Sequence, residues 1–222
     1  MKSSAGTFLA LSVLVTSLIS QGTEARERAM TPLVNVTVSI FNDAGVPASV
    51  LLEAQAEAAA VMSEAGVSLV WLDCGTPGRR VPKLGCSAIA FPEHLSVRLV
   101  SKAAPSKADI FGQSFQDEAG KGSYAVVYYP GLSASKAAQT VRTGRLLGLV
   151  VAHELGHLLL GMNSHSADGL MSAVWQVPEL RQATQSHLFF SRDQSDRIRV
   201  RYFAAIERLV KVSESTNASS GK

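Results

Sequence analysis

Cysteine is scarce in this chain, with two among 222 residues. Neither follows closely behind the apolar N-terminal segment, so a lipoprotein anchor is not expected. No loop is acidic enough to predict a calcium site. Low-complexity tracts and repeats are missing as well, and 46% of the residues are hydrophobic, which excludes global disorder. The chain is therefore globular, and a few local features must carry its function.

Strong charge is also absent. Charged residues make up 18% of the chain, and the formal net charge is +3. The basic residues are scattered or lie on one late helix, so the sequence gives no support for a nucleic-acid partner.

The N-terminus has the pattern of a secretory signal peptide. Met1 and Lys2 give a positive start, and Phe8 to Ile19 form an apolar core of signal-peptide length. The alternative is an uncleaved N-terminal anchor. We expect a signal peptide over residues 1–25, a secreted or periplasmic domain over residues 26–212 with no stable membrane anchor, and a disordered polar tail over residues 213–222.

The two cysteines, Cys74 and Cys86, border a loop that contains glycine and proline. An exported protein meets an oxidising compartment, so we predict one disulfide between them. The chain that remains after cleavage, about 200 residues, is long enough for one domain with a sizeable core.

Hydrophobic periodicity predicts an order of strands and helices. Alternating apolar residues indicate strands, and apolar residues three and four apart indicate helices. The predicted strands are Leu33–Phe41, Val67–Leu72, Leu95–Val100, Ile110–Phe115 and Tyr124–Tyr129, of which the last two form a hairpin. The predicted helices are Pro47–Ala65, a long helix from about Ala137 to Leu160, and a final helix capped by Ser191 with Gln194, in which Ile198, Tyr202, Ile206 and Leu209 form the buried stripe.

The long helix carries His153, Glu154 and His157, the only ionisable residues between Leu146 and Met162. Unpaired polar groups cost free energy in apolar surroundings, so we expect these three side chains to share a function that stabilises them there. Residues four apart lie on one helix face, which lets His153 and His157 bind one Zn²⁺. A glutamate beside them can act as general base on a zinc-activated water. The other interpretation is two satisfied core histidines and a buried salt bridge.

A catalytic zinc needs a third protein ligand. Gly161 can end the helix and turn the chain back, which would bring His165 towards the metal. We therefore predict His165 as the third ligand. Asn163 is a poor zinc ligand, and Asp168 is the alternative oxygen donor.

At these residues the chain resembles the metzincin zinc peptidases, and among them the matrixins. His153, Glu154 and His157 match the family motif, and Met171 stands where the family has its Met-turn. The spacing departs from the family, because Gly161 comes four residues after His157 and His165 four after Gly161, instead of three in each case. The resemblance implies one α+β domain, with a twisted mixed sheet backed by two long helices and a C-terminal helix.

The resemblance also implies a Zn²⁺-dependent endopeptidase with Glu154 as general base and a peptide or protein as substrate. Substrate would pair with the sheet-edge strand, and Trp175 would line the pocket for the residue after the scissile bond. An ordinary edge strand and a core tryptophan are the alternatives. The predicted edge contacts are Phe111, Gly112, Gln113 and Ser114, and we expect a monomer.

Three rival functions remain, one of which is a peptidase that needs a partner or another chain for its control. A different class of zinc peptidase would take Glu179 as the third ligand. Alternatively, the altered spacing could mark a vestigial site in a secreted, non-catalytic zinc-binding protein.

Overall fold

The computed structural model describes residues 34–75, 85–102, 104 and 110–220, with the backbone alone for 216–220. The predicted signal peptide lies outside the described residues. The described residues belong to one compact unit, Leu33–Lys222. Within the described part of the chain, no helix is long and apolar enough to cross a membrane.

In the described part of the chain, five strands form one mixed sheet. They are β1 (Val34–Asn42), β2 (Val67–Gly75), β3 (His94–Val100), β4 (Gly112–Phe115) and β5 (Tyr124–Tyr128), in the order β2-β1-β3-β5-β4. The neighbouring pairs are parallel except β4 and β5, which pair antiparallel as the predicted hairpin. The short strand β4 is thus one edge of the sheet.

Six helices are described: α1 (Ala48–Glu64), α2 (Tyr129–Ser133), α3 (Lys136–Thr140), α4 (Thr143–Leu160), α5 (Val177–Gln185) and α6 (Arg192–Ser220). The two long helices α1 and α4 pack against each other and share one apolar core with the sheet. Val36, Val38 and Ile40 of β1 bury the face that the alternation predicts. The predicted fold class, an α+β domain with a mixed sheet backed by two long helices, is confirmed.

The predicted disulfide is also present, since Cys74 and Cys86 are bonded. Cys74 lies near the end of β2. The bond therefore ties the end of this strand to the segment that leads to β3.

The prediction of one long helix from Ala137 was wrong. Val141 is extended, with φ −110° and ψ 138°, and it separates α3 from α4. Threonine and valine are stiff at χ1 and are poor helix formers, and Thr140, Val141 and Thr143 cluster at the break. As a result, α4 begins at Thr143 and carries the histidine motif in its last two turns.

Two further differences concern the C-terminal third. The region around Pro178 has no clear hydrophobic period, yet it contains α5, which begins with a capping box between Gln176 and Glu179. The helix α6 continues to Ser220, although a disordered tail was predicted from Ser213, because no glycine or proline interrupts the chain between Arg192 and Ser220. Leu209, predicted as part of the buried stripe, is 48% exposed.

The predicted start of α6 is confirmed. The backbone amide of Gln194 donates to Ser191 Oγ, and the backbone amide of Ser191 donates to the side-chain oxygen Oε1 of Gln194. Ile198 and Tyr202 are buried as predicted. On the same helix, Arg201 donates hydrogen bonds to the backbone carbonyls of Leu159 and Gly120.

Candidate metal centre

The helix α4 brings two histidines and one glutamate to the same place. Its apolar residues are buried almost without exception, while His153 and His157 are half-buried and reach out of the core. Their spacing of four places both imidazoles on one face. The helix itself therefore sets the relative position of the two side chains.

The three predicted ligands converge through their Nε2 atoms. His157 Nε2 lies 3.0 Å from His153 Nε2 and 3.1 Å from His165 Nε2. Among the described residues, these histidines are the one group of three or more His, Cys, Asp or Glu residues whose donor atoms all lie within 4.8 Å of one another. Three imidazole nitrogens facing one point match the donor set of a catalytic zinc site.

Hydrogen bonds on the far side of two rings orient the nitrogens. His153 Nδ1 lies 2.8 Å from the Leu170 carbonyl oxygen, which can only accept, so Nδ1 carries the proton. The Nε2 of neutral His153 is then a free lone pair directed at the cluster. His157 Nδ1 lies 2.7 Å from Ser164 Oγ, which can hold that ring in the same way.

Burial keeps these two rings neutral. Desolvation lowers the pKa of His153 to about 4, helped by the charge of His165 and opposed by the hydrogen bond to Leu170. Desolvation, with contributions from His153 and His165, lowers the pKa of His157 to about 3. Only a neutral imidazole can ligate a metal, so both side chains are ready ligands at neutral pH.

Glu154 lies in a tight and apolar position. It is 4% exposed, and its Oε2 finds no hydrogen-bond partner among the described residues. Burial raises the pKa of Glu154 to about 8, and a hydrogen bond with Ser114 partly offsets this rise. A Cβ on Gly112 would lie 2.4 Å from Glu154 Oε1, so the carboxyl rests directly against strand β4. This glycine leaves the space that the glutamate occupies.

The loop from Gly161 to His165 accommodates the extra residues. Gly161 has φ 86° and ψ −168°, a conformation that is essentially restricted to glycine. Asn163 follows in the left-handed region with φ 56°, where asparagine is tolerated better than most residues. Ser164 is then buried against His157, and His165 returns to the cluster. The loop thus returns to the cluster through two unusual backbone conformations.

Met171 lies beneath the motif helix. It is fully buried, and a Cβ on Gly156 would lie 2.7 Å from its Sδ. The Ser166 amide donates to the Met171 carbonyl at 2.9 Å, which ties this residue to the loop that carries His165. Met171 therefore packs beside the helix turn between the two histidines, and its assignment as a Met-turn stays a prediction.

The predicted substrate residues fall on two sides of the centre. Ser114 contacts Glu154, whereas Gln113 accepts a hydrogen bond from Tyr128 Oη and is exposed. Trp175 donates from Nε1 to the Leu170 carbonyl at 3.0 Å, and its ring centroid is 6.0 Å from that of His153. Phe111 packs against the core. Trp175 and His153 thus bind the same carbonyl, that of Leu170.

The alternative ligands are not at the cluster. The Glu179 side chain accepts a hydrogen bond from the backbone amide of Gln176 and so caps α5. Asp168 is exposed, and neither residue belongs to the described group of converging donors. The hypothesis of Glu179 as third ligand therefore has no support in the structure.

Three contacts at this centre are not apparent from the sequence. Ser164 binds His157, Gln116 Nε2 donates to the His157 carbonyl, and Arg201 donates to the Leu159 carbonyl. Gln116 and Arg201 lie far along the chain from the motif, and no local pattern marks them. Ser164 stands beside the predicted ligand His165, which is the one signal that could have indicated it.

The residues present fit a zinc ion. Three Nε2 atoms converge, two of the rings are held neutral with their far nitrogens bonded, and a buried carboxylate oxygen without a described partner lies next to them on the helix. Such a set would be unfavourable without a ligand, because nitrogen lone pairs would face one another and a polar oxygen would stay unsatisfied.

Comparisons with known proteins find similarity at the level of structure. No family model and no curated protein matches the sequence. Among solved structures, the chain is similar to a zinc-dependent peptidase from Methanocorpusculum labreanum (strain Z), with 14% sequence identity and a TM-score of 0.45. That match covers 72% of this chain and 99% of the other.

Proposed function

We propose that this protein is a zinc-dependent endopeptidase of the metzincin type. The observation that carries the proposal is the convergence of His153, His157 and His165 through Nε2, next to the buried carboxyl of Glu154 on the same helix. Zinc, when bound there, would supply a Lewis acid that polarises a carbonyl and makes water more acidic.

The three histidines would hold the ion, and their partners would hold the histidines. The Leu170 carbonyl fixes the tautomer of His153, and Ser164 orients His157. Partners of this kind commonly set both ring orientation and ligand basicity. Among the described residues, no such partner holds the His165 ring, which depends on its loop for its position.

Glu154 would serve as the general base. Its Oε2 is free to accept a proton from the attacking water, and the same carboxyl would then give that proton to the leaving amine. Burial raises its pKa to about 8, which suits proton transfer near neutral pH. A nearby cation would favour the carboxylate form that a base requires.

The substrate would be an extended peptide. Strand β4 is a sheet edge, and it runs directly beside Glu154 because Gly112 contacts that carboxyl. A peptide that pairs with this edge by main-chain hydrogen bonds would place a carbonyl near the metal centre. Trp175, beside His153, would then line the pocket for the residue after the scissile bond.

We also propose that the protein is exported and acts as a monomer. The N-terminal segment has signal-peptide character, and a disulfide joins Cys74 to Cys86. Disulfides persist mainly in oxidising compartments, which supports a secreted or periplasmic site of action.

The test combines zinc content with cleavage of an unfolded protein substrate. Wild type should bind one zinc and cleave in a chelator-sensitive manner. Glu154→Gln should retain the zinc and lose about 10²–10⁴-fold in rate, since it removes the general base but keeps the shape of the side chain. Wild-type zinc binding without chelator-sensitive cleavage would favour a non-catalytic zinc-binding protein, and full activity of Glu154→Gln would refute the mechanism.

A further inference from the structure

The C-terminal end of α4 is held by a side chain from α6. Arg201 Nε donates to the Leu159 carbonyl and Arg201 Nη2 donates to the Gly120 carbonyl, both at 3.0 Å. The last carbonyls of a helix have no partner within the helix, so they need donors from elsewhere. A positive charge at this end is also favourable for the helix dipole. One guanidinium thus joins α4, the β4–β5 turn and α6.

The same guanidinium lies against the turn that leaves α4. A Cβ on Gly161 would lie 2.9 Å from Arg201 Cζ and Nη2, so the planar group packs directly on this glycine. Gly120 lies against the turn too, since a Cβ there would be 3.2 Å from the Met162 amide nitrogen. We call Gly120, Gly161 and Arg201 the turn clamp.

The turn clamp lies at the start of the loop that carries the third histidine. The direction in which the chain leaves Gly161 decides where His165 arrives, because only three residues separate them. His153 and His157 are placed by α4 itself and do not depend on this direction. A change at the clamp should therefore move His165 relative to the other two histidines.

We propose that Arg201 is a positioning residue of the metal centre, which holds His165 near His153 and His157 by fixing the Gly161 turn. The inference rests on the metal site of the proposed function, and it adds a determinant of zinc affinity that lies outside the ligand set. Arg201 itself touches neither the ligands nor the reacting atoms.

The neighbouring residue offers a matched control. Tyr202 is buried on the same helix, and its hydroxyl donates to the Asn35 carbonyl on β1 at 2.9 Å. Tyr202→Phe removes an anchor of α6 that does not contact the metal loop. A merely structural role of α6 predicts similar effects of the two substitutions, whereas a positioning role predicts different ones.

The experiment measures zinc affinity of the purified protein by competition with a chelator. Arg201→Met should lower the affinity about 10-fold, the lower end of the range for losing a direct hydrogen-bond partner of a metal ligand, because Arg201 acts through the turn. Arg201→Lys, which can reach fewer of the acceptors, should give a smaller loss, and Tyr202→Phe should leave the affinity unchanged. In a His165→Ala background, Arg201→Met should have no further effect.

Unchanged affinity in the Arg201 variants would overturn the inference, as would an equal loss in the His165→Ala background. If Arg201→Met does not fold, Arg201→Lys decides by the same two criteria. Peptide cleavage does not enter the measurement, so a wild type that binds zinc but cleaves nothing would refute the proposed function alone. A wild type that binds no zinc would refute both.

Discussion

The two helix-borne histidines and the loop-borne histidine of the proposed metal centre are held in different ways. His153 and His157 project from a buried helix, and each has a hydrogen-bond partner on its far nitrogen. His165 is exposed and arrives at the end of a loop with two unusual backbone conformations. Helix geometry therefore fixes two of the three nitrogens, while the third depends on contacts made by residues distant in sequence.

Removing one ligand from each group gives the largest expected effect. His153→Ala should abolish zinc binding and hydrolysis, because it leaves one helix ligand and one loop ligand. His165→Ala should weaken zinc binding less, since the helix pair stays preorganised. Zinc titration of the two variants measures the difference, and a greater loss for His165→Ala would contradict the distinction between helix and loop.

Ser164 connects the two groups, and its removal should have a smaller effect. The Ser164→Ala variant loses the hydroxyl that lies 2.7 Å from His157 Nδ1. We expect a loss of about 10–100-fold in zinc affinity, as for other partners of ligating histidines. Ser166→Ala is the matched control in the same loop, because Ser166 Oγ donates to the Asp168 carbonyl instead. Equal effects of the two variants would show that the bond to His157 does not matter.

The stability of the metal-free protein should also depend on pH. Folding lowers the pKa of His153 and His157 from 6.5 to about 4 and about 3, so the unfolded chain binds more protons there and stability is lost as pH falls below about 6.5. Folding raises the pKa of Glu154 from 4.5 to about 8, so its contribution is lost as pH rises towards about 8.

We therefore expect these three groups together to give a stability maximum near pH 6.5 in the metal-free protein. Thermal unfolding at a series of pH values measures it. In Glu154→Gln the decline between pH 6.5 and 8 should disappear, while the loss below pH 6.5 should remain. A decline above pH 6.5 that is the same in both proteins would mean that Glu154 is not its source.

The sequence predicted what depends on local periodicity. The alternation in β1, the apolar run of α4 and the spacing of His153 and His157 each follow from one segment of chain, and each is found as expected. The capping box at Ser191 is local as well. Such features need no knowledge of which distant residues meet.

What the sequence could not predict depends on contacts across the chain. Arg201 reaches Leu159 and Gly120, and Gln116 reaches His157. No short-range pattern encodes these pairs. The break before α4 was missed for the opposite reason, because the apolar periodicity continues through Val141 while the backbone preference of the β-branched residues changes.

Above all, we propose that the loop brings His165 to the metal in spite of its altered spacing. A crystal structure of the zinc-loaded protein, with the metal located by its anomalous scattering, tests it most directly. We predict zinc bonded to the Nε2 atoms of His153, His157 and His165, each at about 2.0–2.1 Å. A zinc ion bound by the two helix histidines, with His165 Nε2 out of bonding reach, would contradict the account.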